Sequence, residues 1–267
     1  MKIAILYNGL FNTFKMCKDS HKKYIFEYLD QKNIDYDVYI NISGVMVLKW
    51  MESSSNSIKI WNFREKRKEL EHLFETSILE NDVIQDGTWQ ILKKDISEEN
   101  VKQNFYQILA KEKIKSFKIE NWKVGELREN LHFFNHFPNT RFFKRINNLK
   151  IQINNESYSH FINLRPDFRI SQSIDFDKLF NTEQDFIYIS QRIDYLTVSN
   201  RMVSDIFTEK NINLINNDTS IINLEKNSIY KNNIHFEICY PEIFKKLNIL
   251  LLTFLAGRKL DFRDLIF

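Results

Sequence analysis

The side chains best suited to chemistry stand together in the second half of the chain, where an apolar run over 161–164 leads into Arg165, Pro166 and Asp167. The run predicts a buried strand, and Pro166 predicts its end, because proline cannot donate to an interior hydrogen-bond ladder. Open α/β sheets bind ligands beyond the carboxyl ends of their strands. At such an end Arg165 could clamp a phosphate and Asp167 could hold a hard divalent cation. The alternative is a structural Arg165–Asp167 pair that locks a turn.

The N-terminal part of the chain indicates which kind of sheet would hold this strand. Residues 2–7 and 35–42 predict buried strands, and the segment between them, from about 13 to 31, predicts a helix. A strand, a helix and a strand at this spacing form a βαβ unit, which places the two strands parallel in one sheet. The sequence therefore predicts an α/β fold.

Candidate substrate-binding residues lie at the ends of these two strands. Asn8 and Gly9 follow the first strand, where backbone amides and the start of the next helix can receive a phosphate. An ordinary Asn-Gly turn is the alternative. Tyr7, the last residue of that predicted strand, is also a candidate substrate-binding residue. Asp37 stands near the start of the second strand and is a further candidate, with a plain surface position as its alternative.

The middle of the chain, from about 53 to 130, is polar and predicts helices over 61–79 and 98–114 with a loop over 81–88 between them. Its charges are of mixed sign, which is typical of solvated helix faces. We therefore expect a single domain over 1–267 that carries a polar helical insertion at about 53–130.

Aromatic and basic residues are densest over 133–145, a pattern that single-strand nucleic-acid binders also show. Aromatics at this density more often pack a core. We expect a helix there that brings Arg141, Lys144 and Arg145 towards a site for an anionic substrate. The net charge of +3 is too small to argue for a nucleic-acid partner, which would need a concentrated basic patch.

The last third of the chain predicts the remaining elements. An apolar run over 185–190 predicts a strand, and a later loop is expected to become a helix near Ser199, with Ser199 or Asn200 as its cap. The acidic pair within 175–177 is interpreted as another helix cap. The last apolar run, 249–256, predicts a buried helix, and a helix on a membrane surface is the alternative.

Cysteine usage and hydropathy bear on the location of the protein. Cys17 and Cys239 lie far apart in no metal-like spacing, which favours free thiols in a reducing compartment, and a disulfide between them stays open. The start of the sequence has no signal-peptide core, and no apolar run is long enough to span a bilayer. We therefore expect a cytoplasmic protein, with peripheral contact at the inner face of the membrane as an open alternative.

The order of these pieces resembles a GT-A-type glycosyltransferase-like family found in bacterial surface-polysaccharide clusters and large DNA viruses. The matching segments are 2–9, 164–168 with its Leu-Arg-Pro-Asp motif, 187–190, 199–207 and 235–242. They span most of the chain, and the Leu-Arg-Pro-Asp motif is the tightest match. The resemblance implies a GT-A-like (Rossmann-like) fold, with a mixed, mostly parallel sheet flanked by helices.

The resemblance also implies a chemistry, the transfer of a sugar from a nucleotide-sugar donor to a hydroxyl of a glycan acceptor in surface polysaccharide synthesis. Mn²⁺ or Mg²⁺ would be held by Asp167 with Arg165 assisting, so that charge on the leaving diphosphate is stabilised. Glu237 and Asp194 are the candidates for the base that takes the proton of the acceptor hydroxyl.

Alternatives from other classes stay open. Asn200 and Arg201, which are also candidate substrate-binding residues, stand where the resemblance leads us to expect an acidic residue. Its absence favours a non-catalytic relative that acts as a binding or assembly protein. A metal-dependent nuclease is a weaker alternative, because Pro166 and Asp167 suit one but no acid stands two residues before Lys178.

Overall fold

The computed structural model describes the chain at residues 1–11, 14–44, 46–49, 68, 71, 77, 79, 83–86, 89–92, 97–120, 140–153, 157–190, 196–206, 208 and 250–254. Within these residues ten strands form a main sheet of seven strands and an antiparallel sheet of three. They are β1 (Lys2–Leu10), β2 (Asp35–Ser43), β3 (Met46–Lys49), β4 (Val83–Asp86), β5 (Trp89–Leu92), β6 (Ile114–Glu120), β7 (His160–Leu164), β8 (Phe186–Ser190), β9 (Leu196–Asn200) and β10 (Leu250–Phe254). The small sheet has the order β3-β5-β4.

The helices of the described residues are α1 (Phe14–His21), α2 (Glu27–Gln31), α3 (Glu98–Tyr106), α4 (Thr140–Ile151) and α5 (Phe176–Phe180). A π-helical turn, Lys22–Phe26, joins α1 to α2, and residues 201–206 form a short helix after β9. Asp175 caps α5, since its side chain accepts a hydrogen bond from the backbone N–H of Lys178, and this confirms the interpretation of the acidic pair. None of these helices is long and apolar enough to cross a membrane.

The main sheet has the strand order β6-β2-β1-β7-β9-β8-β10. Its neighbouring strands are parallel except at β9, which runs antiparallel to both β7 and β8. The expected α/β class, with a mixed and mostly parallel sheet flanked by helices, is confirmed. From β1 the chain moves outward to β2 and β6 and then returns to place β7 on the other side of β1. The carboxyl ends of β1 and β7 therefore form a topological switch point, where open α/β sheets bind ligands.

The centre of the fold is β1, which is covered on both faces. Ile3, Ile5 and Tyr7 alternate along one face and are fully buried. On that face the ring centroid of Phe105 lies 4.9 Å from that of Tyr7 and 4.4 Å from that of Phe14. On the other face α4 packs against β1 and β2. Parallel strands covered in this way read as nearly continuous apolar runs, and this is why β1 and β2 could be predicted.

The strand expected over 2–7 is longer than predicted, and the Asn-Gly turn given as the alternative at Asn8 and Gly9 is wrong. β1 continues through both residues to Leu10, which pairs with Ser43 at the end of β2. The parallel ladder with β2 holds this stretch extended, so local turn propensity does not decide its conformation.

The polar middle segment differs from the expectation in two places. The helix expected over 98–114 ends at Tyr106, and the residues from Ile114 onward form β6 at one edge of the main sheet. The loop expected over 81–88 contains β4, which pairs with β5 as an antiparallel hairpin. The insertion at about 53–130 is therefore not wholly helical, because pairing with distant strands overrides local helix propensity.

The C-terminal elements are also corrected. The loop expected before the short helix is β9, and that helix begins only at 201. Asn200 does cap it, because its Oδ1 accepts a hydrogen bond from the N–H of Val203 at 3.2 Å. The helix expected over 249–256 is wrong for its described part, which is β10, parallel to β8, and the membrane-surface helix fails there with it. Short apolar runs do not distinguish a buried strand from a buried helix.

Two buried histidines should make the stability of this fold depend on pH. Burial lowers the pKa of His21 and of His160 from the ordinary 6.5 to about 4. Between these pH values the unfolded chain binds protons that the folded protein excludes, so stability is full above pH 6.5 and is lost as the pH falls towards 4. For His21 alone we expect the free energy of unfolding, measured with urea, to fall by about 3 kcal/mol over this range.

The variant His21→Gln tests whether His21 causes this dependence of the free energy of unfolding on pH. Glutamine at position 21 does not titrate in this range, so the free energy of unfolding of the variant should fall less steeply with pH than that of the parent, while His160→Gln removes the other contribution. A slope that is unchanged in both variants would show that neither histidine is held neutral by the fold.

Candidate functional site

At the switch point Gly9 lies against Arg165. Tyr7 pairs with Leu164, so the last residues of β1 lie beside the turn that follows β7. Gly9 has a φ of +130°, and a Cβ there would lie 3.1 Å from Cγ of Arg165 and 3.6 Å from Cδ of Pro166. Glycine is therefore favoured by the backbone conformation and by the lack of space. Two of the predicted binding residues, Gly9 and Arg165, are thus brought into contact.

Arg165 and Asp167 form a bidentate ion pair. Nε of Arg165 donates to Oδ1 of Asp167 at 2.8 Å, and Nη2 donates to Oδ2 at 2.6 Å. The two side chains are only 14% and 13% exposed, and a charge-assisted pair of this geometry fixes both of them. The N–H of Phe168 donates to the carbonyl oxygen of Arg165 at 3.3 Å and closes the turn. These contacts match the alternative that the sequence analysis left open, a structural Arg165–Asp167 pair that locks a turn.

A divalent cation at Asp167 does not fit these contacts as they stand. Both carboxylate oxygens accept hydrogen bonds from Arg165, whereas Mg²⁺ or Mn²⁺ needs oxygen ligands that are open to it. Among the residues that the structure describes, no group of three or more His, Cys, Asp or Glu side chains could hold a metal ion. Asp194 and Glu237 lie outside the described residues. The cation and the catalytic base therefore stay predictions of the sequence resemblance.

A buried polar layer continues this edge on the face that α4 covers. Asn8 pairs in register with Asn41 of β2, so their side chains leave the same face of the sheet. At the end of β6, Oε1 of Glu120 accepts a hydrogen bond from Nδ2 of Asn41 at 3.0 Å, and Oε2 accepts one from Nε of Arg145, on α4, at 2.9 Å. Burial lowers the pKa of Arg145, and Glu120 opposes that shift. The neighbouring ion pair of the turn also acts electrostatically on Arg145, so both ion pairs share one edge of the sheet.

The amide of Asn8 stands out within this layer. Its side chain is fully buried, and among the described residues neither its nitrogen nor its oxygen has a hydrogen-bond partner. An unsatisfied buried group costs about 1–3 kcal/mol, and in native proteins it calls for an explanation such as ordered water or a functional role. Asn8 lies at the switch point, and its role as a binding residue stays a prediction.

Three other predicted binding residues lie at the opposite edge of the sheet from the switch point, where the amino ends of β1, β2 and β7 lie. Near the amino end of β2, Asp37 accepts a hydrogen bond from the hydroxyl of Tyr158 at 2.5 Å and pairs with Nζ of Lys2 at 2.7 Å. Burial raises the pKa of Asp37, but the bonds from Lys2 and Tyr158 outweigh it, so that the net pKa is lowered. Asn200 and Arg201 reach the same edge because β9 runs antiparallel to β7. The structure does not bring these three residues to the switch point.

Asn200 has a local structural explanation. Its Nδ2 donates to Asp185 at 2.7 Å, and its Oδ1 caps the helix that follows. Arg201 is exposed and lines an open cleft of about 710 Å³ together with Lys2 and Tyr158. The contacts of Asn200 therefore account for it without a substrate, whereas Arg201 remains accessible from solvent.

Tyr7 is a core residue and does not line the edge. Its hydroxyl lies 3.0 Å from Nδ1 of His21, and its ring packs against Phe14 and Phe105. Burial raises the pKa of Tyr7 well above its ordinary value. The phenol therefore stays protonated and serves as a hydrogen-bond donor inside the core.

The sequence did not single out Asn41, Glu120 or His21, which all support this edge. A signal existed for Asn41, because it is a polar residue inside the apolar run 38–42. His21 offered a similar signal as a polar residue on the buried face of α1. Glu120 stands among other charged residues, and no local pattern distinguishes it.

No protein-family model matches the chain, and no curated protein matches its sequence. The comparisons therefore assign it to no family. The contacts at the carboxyl edge are the observations on which a function can be proposed.

Gly9→Ala should destabilise the protein by more than about 1 kcal/mol, because alanine is strained at a positive φ and its Cβ would press on Arg165. The measurement is urea unfolding. The control is the same substitution in an Arg165→Ala background, which removes the Cγ that the new Cβ would meet, so Gly9→Ala should cost less there. An equal cost in the two backgrounds would contradict the close approach of Gly9 and Arg165.

Glu120→Gln should be more damaging, because it removes the carboxylate that neutralises a buried guanidinium. Arg145 has a side chain that is only 6% exposed, and breaking a buried ion pair by removing one partner costs about 3–5 kcal/mol. Glu112→Gln, an exposed carboxylate just before β6, is the control and should be nearly neutral. If both substitutions prove neutral in urea unfolding, Arg145 does not depend on Glu120.

Proposed function

We propose that this chain is a glycosyltransferase that binds a nucleotide-sugar donor at the carboxyl edge of β1 and β7 and transfers the sugar to a hydroxyl of a glycan acceptor. The observation that carries the proposal is the meeting of Gly9 and Arg165 at the topological switch point, next to Asn8, whose amide has no hydrogen-bond partner among the described residues. A ligand crevice is expected at such a point. The GT-A-like fold implied by the Leu-Arg-Pro-Asp motif has the same coarse architecture, a mixed and mostly parallel sheet flanked by helices.

The charges at this edge suit a diphosphate. Arg165 and Arg145 supply two guanidinium groups on neighbouring elements, each held in place by a carboxylate. A guanidinium has five N–H donors in a planar fork that matches phosphate geometry, and the ion pair with Asp167 fixes the orientation of the Arg165 fork. The missing side chain at Gly9 lets Arg165 lie against the end of β1. Donor binding here therefore rests on positioned hydrogen-bond donors.

The reaction itself can be stated by its bonds. The acceptor hydroxyl oxygen forms a bond to the anomeric carbon, the bond from that carbon to the diphosphate oxygen breaks, and the hydroxyl proton passes to a base. Glu237 and Asp194 remain the proposed bases. Mn²⁺ or Mg²⁺, if bound, would stabilise the leaving diphosphate, and Asp167 could serve as a ligand only where its pairing with Arg165 is exchanged. Synthesis of a surface polysaccharide, at the inner face of a membrane, is the proposed setting.

A non-catalytic relative that binds a nucleotide-sugar, or assists assembly, is the second candidate. It is favoured by one observation, the complete pairing of both Asp167 oxygens with Arg165. Such a protein would keep the binding edge without turnover. Release of the nucleotide from its sugar separates the two candidates, since only a transferase produces it.

The test is a thermal-shift screen of nucleoside diphosphates and nucleotide-sugars, each with Mn²⁺ and with a chelator. A ligand at about one hundred times its dissociation constant stabilises the folded state by about 2.7 kcal/mol. We expect one nucleotide class to raise the melting temperature. Arg165→Lys should weaken its binding about tenfold or more, because lysine lacks the planar fork.

Arg201→Lys is the matched control, because it makes the same exchange at the opposite edge and should leave binding unchanged. Failure of every nucleotide to stabilise the protein would overturn the proposal. Equal weakening by the two variants would place the site elsewhere. A response to Mn²⁺ that Asp167→Asn abolishes would support the cation, and a response that this variant retains would remove Asp167 as its ligand.

A further inference from the structure

The turn that carries Arg165 and Asp167 is not held by a sheet or helix of its own. Residues 165–175, between β7 and α5, have neither helical nor strand structure. The bond from the N–H of Phe168 to the carbonyl oxygen of Arg165, at 3.3 Å, is long. Because such a segment has no backbone ladder, its shape must be fixed by contacts with its neighbours.

The first of these contacts comes from His21, the last residue of α1. Its Nε2 lies 2.5 Å from the carbonyl oxygen of Phe168, and its Nδ1 lies 3.0 Å from the hydroxyl of Tyr7. A carbonyl oxygen can only accept, so Nε2 carries the proton, and Nδ1 accepts from the phenol of Tyr7. The imidazole is fully buried. It therefore ties β1 to the turn through a single neutral tautomer.

The second contact comes from Ser20, the preceding residue. Its Oγ accepts a hydrogen bond from the N–H of Ile170 at 3.1 Å and donates to the carbonyl oxygen of Cys17 at 2.6 Å. Ser20 and His21 thus hold alternate backbone positions of the turn, Ile170 and Phe168. Two adjacent side chains on one rigid helix fix both the position and the direction of the segment between them.

The helix is irregular at this place. A π-helical turn, Lys22–Phe26, begins directly after His21, and such single-turn insertions are rare and frequent at functional sites. Within the insertion Ile25 and Phe26 are buried in the core, as Phe14 is before it and Leu29 is after it. The helix therefore buries apolar residues on both sides of the insertion while presenting His21 to the turn.

We propose that Ser20 and His21 are positioning residues of the carboxyl-edge site, which hold the turn so that the Arg165–Asp167 pair stays against Gly9. Their hydrogen bonds to this segment go to the backbone, His21 to Phe168 and Ser20 to Ile170. The consequence for ligand binding rests on the proposed function. The positioning itself does not, and it can be measured without any ligand.

The experiment follows the Nε–H signal of Arg165 by ¹H–¹⁵N NMR, with the signal identified by its loss in Arg165→Lys. In His21→Phe, which keeps a ring but loses both hydrogen bonds, we expect hydrogen exchange of this group to accelerate about tenfold or more. His21→Gln can still donate to the carbonyl oxygen of Phe168 and should restore slow exchange. Ser20→Ala, at a partly exposed position, should give an intermediate acceleration and serves if His21→Phe does not fold.

The control for general destabilisation is Phe26→Leu, because Phe26 is buried in the same helical segment but packs against Tyr36, away from the turn. Exchange at Arg165 should stay slow in this variant. Unchanged exchange in His21→Phe and in Ser20→Ala, or equal acceleration in Phe26→Leu, would overturn the proposal. In a protein that binds a nucleotide, His21→Phe should weaken binding and His21→Gln should restore it. If the parent binds no nucleotide, the proposed function fails while the exchange data still decide the positioning role.

Discussion

The pairing of β1 with a parallel strand on each side is the constraint on which the rest of the structure depends. β1 pairs with β2 along its whole length and with β7 from Ile3 to Tyr7. Parallel strands need long connections and cover on both faces, which α1 and α4 supply. The carboxyl ends of β1 and β7 therefore lie next to each other, and Arg165, the first residue after β7, lies against Gly9 near the end of β1. A side chain at position 9 would crowd Arg165, and glycine avoids this.

The same edge concentrates charge that water reaches poorly. Burying an ion is costly unless a partner and further hydrogen bonds compensate it, and here each guanidinium has a carboxylate, Arg165 with Asp167 and Arg145 with Glu120. Asn41 adds a further bond to Glu120. The described groups of these two pairs therefore balance in charge. An anionic ligand would have to bind by sharing or exchanging donors with these carboxylates, and selectivity for a ligand of suitable geometry would follow from that exchange.

The sequence predicts the strands whose partners are parallel and buried, because these read as apolar runs whatever lies beside them. It does not predict the direction of β9, since Leu196–Asn200 has the composition of either a strand or a helix start, and only pairing with β7 and β8 decides it. That direction alone moves Asn200 and Arg201 to the far edge from Gly9. The sequence could identify candidate residues, but it could not show which of them lie at the carboxyl ends of the central strands and which at the amino ends.

One part of the candidate site could be predicted from local sequence patterns, and the other part depends on contacts between residues that are far apart in the sequence. The meeting of Gly9 with Arg165 follows from the rule on strand ends, and it was predictable once two strands were placed. The support beneath it was not, because His21 and Phe168 stand 147 positions apart and Asn41 and Glu120 stand 79 apart. What the sequence does offer is an exception to a pattern, a histidine among Phe14 and Cys17 on the buried face of α1. A buried polar side chain needs hydrogen-bond partners. A histidine on an apolar helix face therefore indicates that another part of the chain supplies a partner, and for His21 that partner is the backbone of the turn that carries Arg165 and Asp167.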